Sequence, residues 1–401
     1  MTRLPAPPLT LLRAGAVFAP AALGARDLLL GGGRILAMGE DLRPAAATLG
    51  VTEIIEAPEG KLLPGLIDQH MHFLGGGEAD GPAGRMPELS AGEILGAGIT
   101  TAGSLLGTEM EAKTLPQLLR KAHELDAAGL TSFIYTGSMR LPAPCMTGSV
   151  RSDIALIEKV LGAKSAIAER LYPNLDFPAL AALAGELAQA RAMTGKAAVL
   201  HLHVGRLRSG LEPVFELLDR VDFPADQVVP THINRSPELL PLFDQGIRFA
   251  RQGGVIDFTC CLGPLDGIAS GFDVVAAVRR ALGAGVPLAN ITLSSDAGVA
   301  VPDPARSGGF RSVPPAILFR DLRRLVREAG LSWAEALPLV TSNVARVLRL
   351  GASKGGIAVG MDADLLLLDE ADDAVMVIAR GHCLGIAAGA AKNRRVTRGF
   401  A

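Results

Sequence analysis

Residues Leu62 to Glu78 read LLPGLIDQHMHFLGGGE. An apolar, strand-like run carries Asp68, His70 and His72 at its end and then falls into three glycines. Successive side chains of a strand point to opposite faces, so residues two apart share a face, and His70 and His72 can aim at one point. Two converging imidazoles suggest a metal ion. An isolated H-x-H pair more often belongs to a solvated turn, so the pair needs partners elsewhere in the chain.

Seven further runs of the same kind follow: GITTAGSLL, LTSFIYTG, GAKSAIA, AAVLHLHVG, DQVVPTHI, GGVIDFTCC and NITLSSDAG. Their spacing of roughly thirty residues is the length of a βα unit. The intervening stretches DIALIEKVL, ALAALAGELAQARAM, ELLPLFDQGIRFARQ and FDVVAAVRRALGAG carry apolar residues three and four apart, the period of an amphipathic helix. Ser332 and Glu335 have the spacing of a capping box. Eight alternating units predict an α/β fold, a (β/α)8 TIM-like barrel over residues 62–351. Outside it, Leu11–Glu56 and Gly355–Gly385 are short apolar runs split by Gly, Pro and Asp. Strands this short need a shared sheet, which predicts a small β-sandwich domain built from both chain ends, residues 1–61 and 352–401.

Active sites of such barrels lie at the C-terminal strand ends. His70 and His72 end the first run, Lys164 lies in the fourth, His203 ends the fifth, His232 the sixth and Asp296 the eighth. Four of the chain's seven histidines thus fall on one rim. Imidazole and carboxylate are good ligands for zinc and related divalent ions. Four His, one Asp and one further anion would hold two such ions about 3.5 to 4 Å apart. Lys164 sits in an apolar stretch where a charged ammonium is costly to bury, unless it snorkels to solvent or pairs with Glu169. His201, two residues before His203, shares its strand face and could compete with it as a ligand, but is expected one layer deeper because His203 is nearer the strand end.

With 401 residues the chain can bury a large core, and its net charge of −2 offers no electrostatic case for nucleic acid. Its four cysteines lack C-x-x-C spacing, which argues against a disulfide framework or a thiolate zinc site. No apolar run approaches the roughly 18 to 20 residues that cross a bilayer. Arg13 followed by AGAVFAPAALGA resembles a signal peptide, but Pro20 interrupts the run and strand-like sequence follows directly. The expected location is cytoplasmic.

Taken together, PGLIDQHMH, GAKSAI, the H-V-G of His203, PTHINR around His232, LSSDAG around Asp296 and VGMDADLLLLD resemble the amidohydrolase superfamily, most of all its isoaspartyl dipeptidases, over nearly the whole chain. The resemblance implies two divalent metal ions, zinc by expectation, with Lys164 N-carboxylated by CO2 and bridging them. It implies that His70, His72 and Asp296 hold one ion and His203 and His232 the other. A water activated between the metals would attack an amide carbon, with Asp296 taking its proton and passing it to the leaving amine. The implied substrate is a β-aspartyl dipeptide, with Glu78 matching the residue that binds its free amine and Arg235 one that binds carboxylate; Thr108, Met139 and Arg170 complete the expected pocket. The resemblance also suggests a homo-oligomer.

Three positions depart from the family pattern. Met139 stands where the family has a carbonyl-polarising tyrosine, and methionine donates no hydrogen bond. Leu171 stands at a family arginine, with Arg170 one place earlier, and Ala300 at a family serine. These changes leave room for another amide substrate: an N-acyl amino acid, a hydantoin or a dihydroorotate-like ring. A non-catalytic relative is a third reading, but such a protein should have lost metal ligands, and none is missing.

Overall fold

The computed structural model describes residues 6–400 except 52, 78–80, 173, 236–239, 269, 270, 304 and 386–396. β1 (Thr10–Phe18), β2 (Ala22–Gly31) and β3 (Arg34–Gly39) form an antiparallel meander, and β4 (Glu53–Pro64) pairs in parallel with β1. The stretch that resembles a signal peptide is therefore the β1–β2 hairpin.

Each of the eight apolar runs contains a strand: β5 (Leu66–Met71), β6 (Ile99–Ser104), β7 (Thr131–Gly137), β8 (Val160–Ile167), β9 (Val199–Val204), β10 (Val228–Thr231), β11 (Ile256–Thr259) and β12 (Ile291–Ser294). Parallel strands covered on both faces read as continuous apolar text, and all eight residues of β8 are buried. β5 to β10 form one parallel sheet, while β11 and β12 form a parallel pair. Backbone bonds cross both remaining seams: Ile233 N to Asp257 O at 3.4 Å, and His72 N to Ala297 O at 2.7 Å with Asp296 N to His70 O at 3.1 Å. The strands thus close into a TIM-like barrel. Three of the helices expected between them are present as Phe177–Thr194, Leu240–Arg251 and Val274–Gly283; of DIALIEKVL only Asp153–Leu156 is helical, at the end of the helix Val150–Leu156, and its Val160 and Leu161 open β8. Ser332 caps its helix by accepting from Glu335 N.

A short hairpin, β13 (Ala300–Pro302) and β14 (Phe310–Ser312), follows the barrel strands. The chain then returns through β15 (Leu365–Leu368), β16 (Ala374–Ala379), β17 (His382–Gly385) and β18 (Thr397–Phe400). β15 and β18 both pair antiparallel with β4, so the two chain ends share one eight-stranded sheet. Leu62–Pro64 belong to that sheet and Leu66 opens the barrel. Gly65 makes the hand-over, where a Cβ would come within 2.2 Å of Thr100 Oγ1.

Inside the barrel, an apolar cluster near the strand beginnings contains Leu161, Val199, Val229 and Val255, with Val344 and Val347 from the helix Ser342–Val347. Polar side chains also cross the interior. The Asp257 carboxylate accepts from Gln69 Nε2 at 2.9 Å, Thr292 Oγ1 at 2.8 Å, Thr231 Oγ1 at 2.7 Å and Ser294 Oγ at 2.6 Å. Burial pushes its pKa up to about 6 against the pull of those donors. One carboxylate therefore links β5, β10 and β12 to its own strand across both seams. Asp257→Ala would strand four buried donors, and we expect a loss of about 4 kcal/mol or more in urea unfolding. Exposed Asp219→Ala should stay within about 0.5 kcal/mol.

Candidate metal centre

His70 is the penultimate residue of β5, His72 lies just past its end, and Asp296 lies just past β12, so the seam that closes the barrel brings the three together. One ligand atom from each lies within 4.8 Å of the others. Asp296 Oδ1 stands 3.3 Å from His70 Nε2 and 3.2 Å from His72 Nε2 but is buried without a hydrogen-bond partner among the described residues. Three donor atoms that approach without bonding one another suit a divalent ion between them, and two imidazoles with a carboxylate are a zinc-type donor set. Burial opposes ionisation of Asp296, but His70 and His72 hold its carboxyl well below the usual range. His70 itself is pushed down to about 4 by burial and by Lys164. His72 rises to about 9 because Glu109 and Asp296 outweigh its burial. Asp296 and His232 both have left-handed backbone, φ 57° and 65°, a strained state for residues with a Cβ that is frequent at functional sites.

Each of these histidines is braced from behind. His72 Nδ1 meets Glu109 Oε1 at 2.8 Å, and His232 Nδ1 meets Thr259 Oγ1 at 2.8 Å. Gly107 leaves room for the first contact, since a Cβ there would lie 2.7 Å from His72 Cε1. Asn234 bonds the backbone of Thr259 in both directions, donating to its carbonyl and accepting from its amide. His70 Nδ1 meets His201 Nε2 at 2.8 Å, so His201 does lie behind the histidine layer.

Lys164 is buried, and burial brings its ammonium down to about 7 even though Asp296 and Glu109 oppose the shift. The rings of His203 and His232 stand 4.7 Å apart, centroid to centroid, and those of His70 and His232 5.1 Å apart. His203 Nε2 lies 3.0 Å from Glu169 Oε2 and 3.2 Å from Arg235 Nη2, so it donates to the first in one tautomer and accepts from the second in the other. Arg235 is thereby held at the mouth of the site, with Nε buried and unpartnered among the described residues. Burial lowers its pKa, and Glu169 opposes that shift.

The expected pocket residues are less uniform. Glu78 lies outside the described residues. The Thr108 hydroxyl donates to Gly77 O, and Lys113 Nζ donates to Leu74 O at 2.5 Å, so the segment after β6 braces the glycine loop that leads to Glu78. Met139 is buried. Tyr135 stacks on His201 at 5.0 Å, and Arg140 is exposed beside Glu111, 3.7 Å away. Arg170 is exposed, and Leu171 is 59% exposed. Ala300 opens β13. Cys261 is buried with Sγ 3.9 Å from Asp296 Oδ2.

Glu109, Asn234, Thr259 and Asp257 were not singled out from the sequence. Glu109 did carry a signal, an acidic residue just past a strand end on the rim that holds the histidines.

Comparison with known proteins agrees with this geometry. Residues 225–381 match the profile of the Amidohydrolase family. The β-aspartyl dipeptidase from thermophilic keratin-degrading Fervidobacterium islandicum AW-1, solved in complex with β-Asp-Leu dipeptide, is 34% identical over 94% of this chain and 96% of its own, with a TM-score of 0.84. The chain belongs to the amidohydrolase superfamily. A second structure of the Fervidobacterium islandicum AW-1 enzyme is similar to this amidohydrolase at 33% identity over 94% and 97% of the two chains, TM-score 0.82. Dihydropyrimidinase from Brevibacillus agri NCHU1002 shares the fold at 18% identity over 94% and 95%, TM-score 0.65. This amidohydrolase is accordingly a hydrolytic enzyme whose activity is metal-dependent cleavage of an amide bond, which sets aside the non-catalytic reading.

Glu109→Gln keeps the shape behind His72 but removes the anion. In a titration against a competing chelator it should weaken zinc binding about 10- to 100-fold, since groups that orient a ligating histidine matter on that scale.

Proposed function

We propose that this amidohydrolase cleaves a β-aspartyl dipeptide. The observation that carries the reading is the meeting of His70, His72 and Asp296 at one buried point in a barrel 34% identical to a β-aspartyl dipeptidase solved with β-Asp-Leu. In this proposal His70, His72 and Asp296 would hold one divalent ion and His203 and His232 a second, with N-carboxylated Lys164 as a further ligand. Zinc is the proposed metal because imidazole and carboxylate suit it. When bound, the ions supply a water of lowered pKa and polarise the scissile carbonyl.

The remaining work falls to the chain's own side chains. Burial favours the neutral amine of Lys164, the form that adds CO2 with release of one proton, and the carbamate so formed would supply the further anion that two divalent ions need. Asp296, held ionised, accepts the proton of the attacking water and delivers it to the leaving nitrogen, which departs poorly until protonated. Arg235 offers a planar, always charged fork to the substrate carboxylate beside His203. Glu78 is the proposed partner of the free amine, at the end of a loop braced by Thr108. The division into a catalytic barrel and an end-formed β-sandwich, drawn at residues 62–351 against 1–61 and 352–401, belongs to the same proposal, with Leu62–Pro64 reassigned to the end-formed part because they pair in its sheet; a cytoplasmic setting belongs to it as well.

A second reading keeps the metals and changes the amide. It is favoured by the exposed Leu171 and buried Met139, which replace an arginine and a tyrosine of the family pattern with apolar side chains. β-Asp-Leu, N-acetyl-leucine and dihydroorotate, offered to protein of verified metal content, separate the two readings. We expect turnover of β-Asp-Leu, and preference for either of the others would overturn the dipeptidase reading. Met139→Tyr restores a hydrogen-bond donor and should raise kcat on β-Asp-Leu, by up to the roughly 10²- to 10³-fold that such a donor contributes. Asp296→Asn, assayed at equal metal occupancy, should lower kcat by about 10²- to 10⁴-fold.

A further inference from the structure

We infer that His201 is the positioning residue of His70: it accepts the His70 Nδ1 proton, fixes the ring with Nε2 toward Asp296 and His72, and governs how firmly that site keeps its ion. The inference rests on the metal-centre reading above.

On the metal-centre reading the bonding leaves His70 one arrangement. Its Nε2 faces Asp296 Oδ1 at 3.3 Å, and with that nitrogen given to the ion, Nδ1 carries the ring proton. That proton meets His201 Nε2 at 2.8 Å, and the two rings stand 66° apart with centroids separated by 4.9 Å, edge to face. His201 therefore has a bare Nε2 and carries its own proton on Nδ1. It is fully buried, and its face is covered by Tyr135 at a ring distance of 5.0 Å and an interplanar angle of 28°. Stacking on one side and the bond to His70 on the other leave the His201 ring little freedom to turn. With Nε2 committed to His70, His201 sits behind that ring rather than beside it as a competing ligand.

The brace also differs in kind from the others. His72 is backed by a carboxylate and His232 by a hydroxyl, both oxygen acceptors, whereas His70 is backed by a second imidazole. A neutral imidazole orients a ring without adding charge. His201 Nδ1 and the Tyr135 hydroxyl are both buried without a hydrogen-bond partner among the described residues. A side chain kept only to fill space would not need two buried polar atoms here, because unpaired polar groups are costly and a phenylalanine would stack as well.

The test compares His201→Phe with His201→Gln in protein loaded with two equivalents of zinc, following zinc release to excess chelator. Phenylalanine keeps the stacking volume but accepts no hydrogen bond, while the glutamine Oε1 can still accept from His70. We expect the Phe variant to release one of its two zinc ions about 10- to 100-fold faster than wild type, with the Gln variant recovering most of the difference. Thermal unfolding of the metal-free variants reads the packing role separately. Release at the wild-type rate from the Phe variant would overturn the inference. So would equal acceleration in both variants that follows a loss of metal-free stability. If the Phe variant does not fold, His201→Leu takes its place with the same readings. Failure of the wild type itself to retain zinc, or retention that His70→Ala leaves unchanged, would overturn the metal-centre reading instead.

Discussion

A buried carboxylate with four donors holds this barrel shut. Asp257 gathers Gln69 from β5, Thr231 from β10 and both Thr292 and Ser294 from β12. These are the strands that flank the two seams at which the parallel sheet and the separate β11–β12 pair must meet. An isolated buried charge would be prohibitive, but four hydrogen bonds supply the solvation that water gave it. The direction of closure matters for what lies above. Once β12 is docked on β5, the backbone bonds Asp296 N to His70 O and His72 N to Ala297 O follow, and those residues carry the proposed ligands. The contacts that close the barrel are thus the ones that bring the proposed ligands together.

The centre then imposes its own electrostatic demands on the interior. Asp296, His70, His72, Glu109 and Lys164 are all buried, and their charges are set by one another more than by solvent. Burial would protonate Asp296, yet the two imidazoles keep it ionised. Burial would discharge His72, yet Glu109 and Asp296 keep it charged in the metal-free state. Such an arrangement is poorly balanced without an ion, and the left-handed backbone at Asp296 and His232 is a further strain that the surrounding structure bears. The rigidity behind the histidines, from Glu109, Thr259 and His201, has the same logic: ligands fixed in advance lose less entropy when an ion binds.

Much of this was legible in the sequence, because barrel strands announce themselves one at a time. Each of the eight apolar runs is a local signal, and each proposed ligand except Lys164, which lies within β8, sits at or just past a strand end that the run itself marks. The braces were not legible. Glu109 reaches His72 from 37 residues away and His201 reaches His70 from 131, and no local pattern tells which rim residues will face each other. Asp257 could have been noticed as an acid inside the apolar run GGVIDFTCC, but its four donors come from three other strands, and only the closed barrel brings them together. The end-formed sheet was legible as a tendency of short runs to seek partners, whereas the place where β4 hands over to β5 depends on the close approach of Gly65 to Thr100.

The same division between strand and loop explains why the metal half of the site matches the family pattern while the substrate half departs from it. The proposed metal ligands are on strands or directly at their ends, where a one-residue shift would turn a side chain to the other face and break the seam. Met139, Arg170, Leu171 and Ala300 lie beyond the ends of the barrel strands, in segments where substitutions cost the fold little. Arg235 is a loop residue of a different sort: its amide is bound to His232 O, its neighbour Asn234 is tied to Thr259, and its guanidinium is tied to His203. It is constrained as the ligands are, through the ligands. On the proposed reading, Arg235 fixed to the metal centre would keep an amino-acid carboxylate in a set position, while apolar Leu171 and Met139 would loosen what recognises the rest of the substrate. The chemistry is thus anchored in the barrel and the selectivity in its loops, so that a change of substrate need not disturb the seam on which both depend.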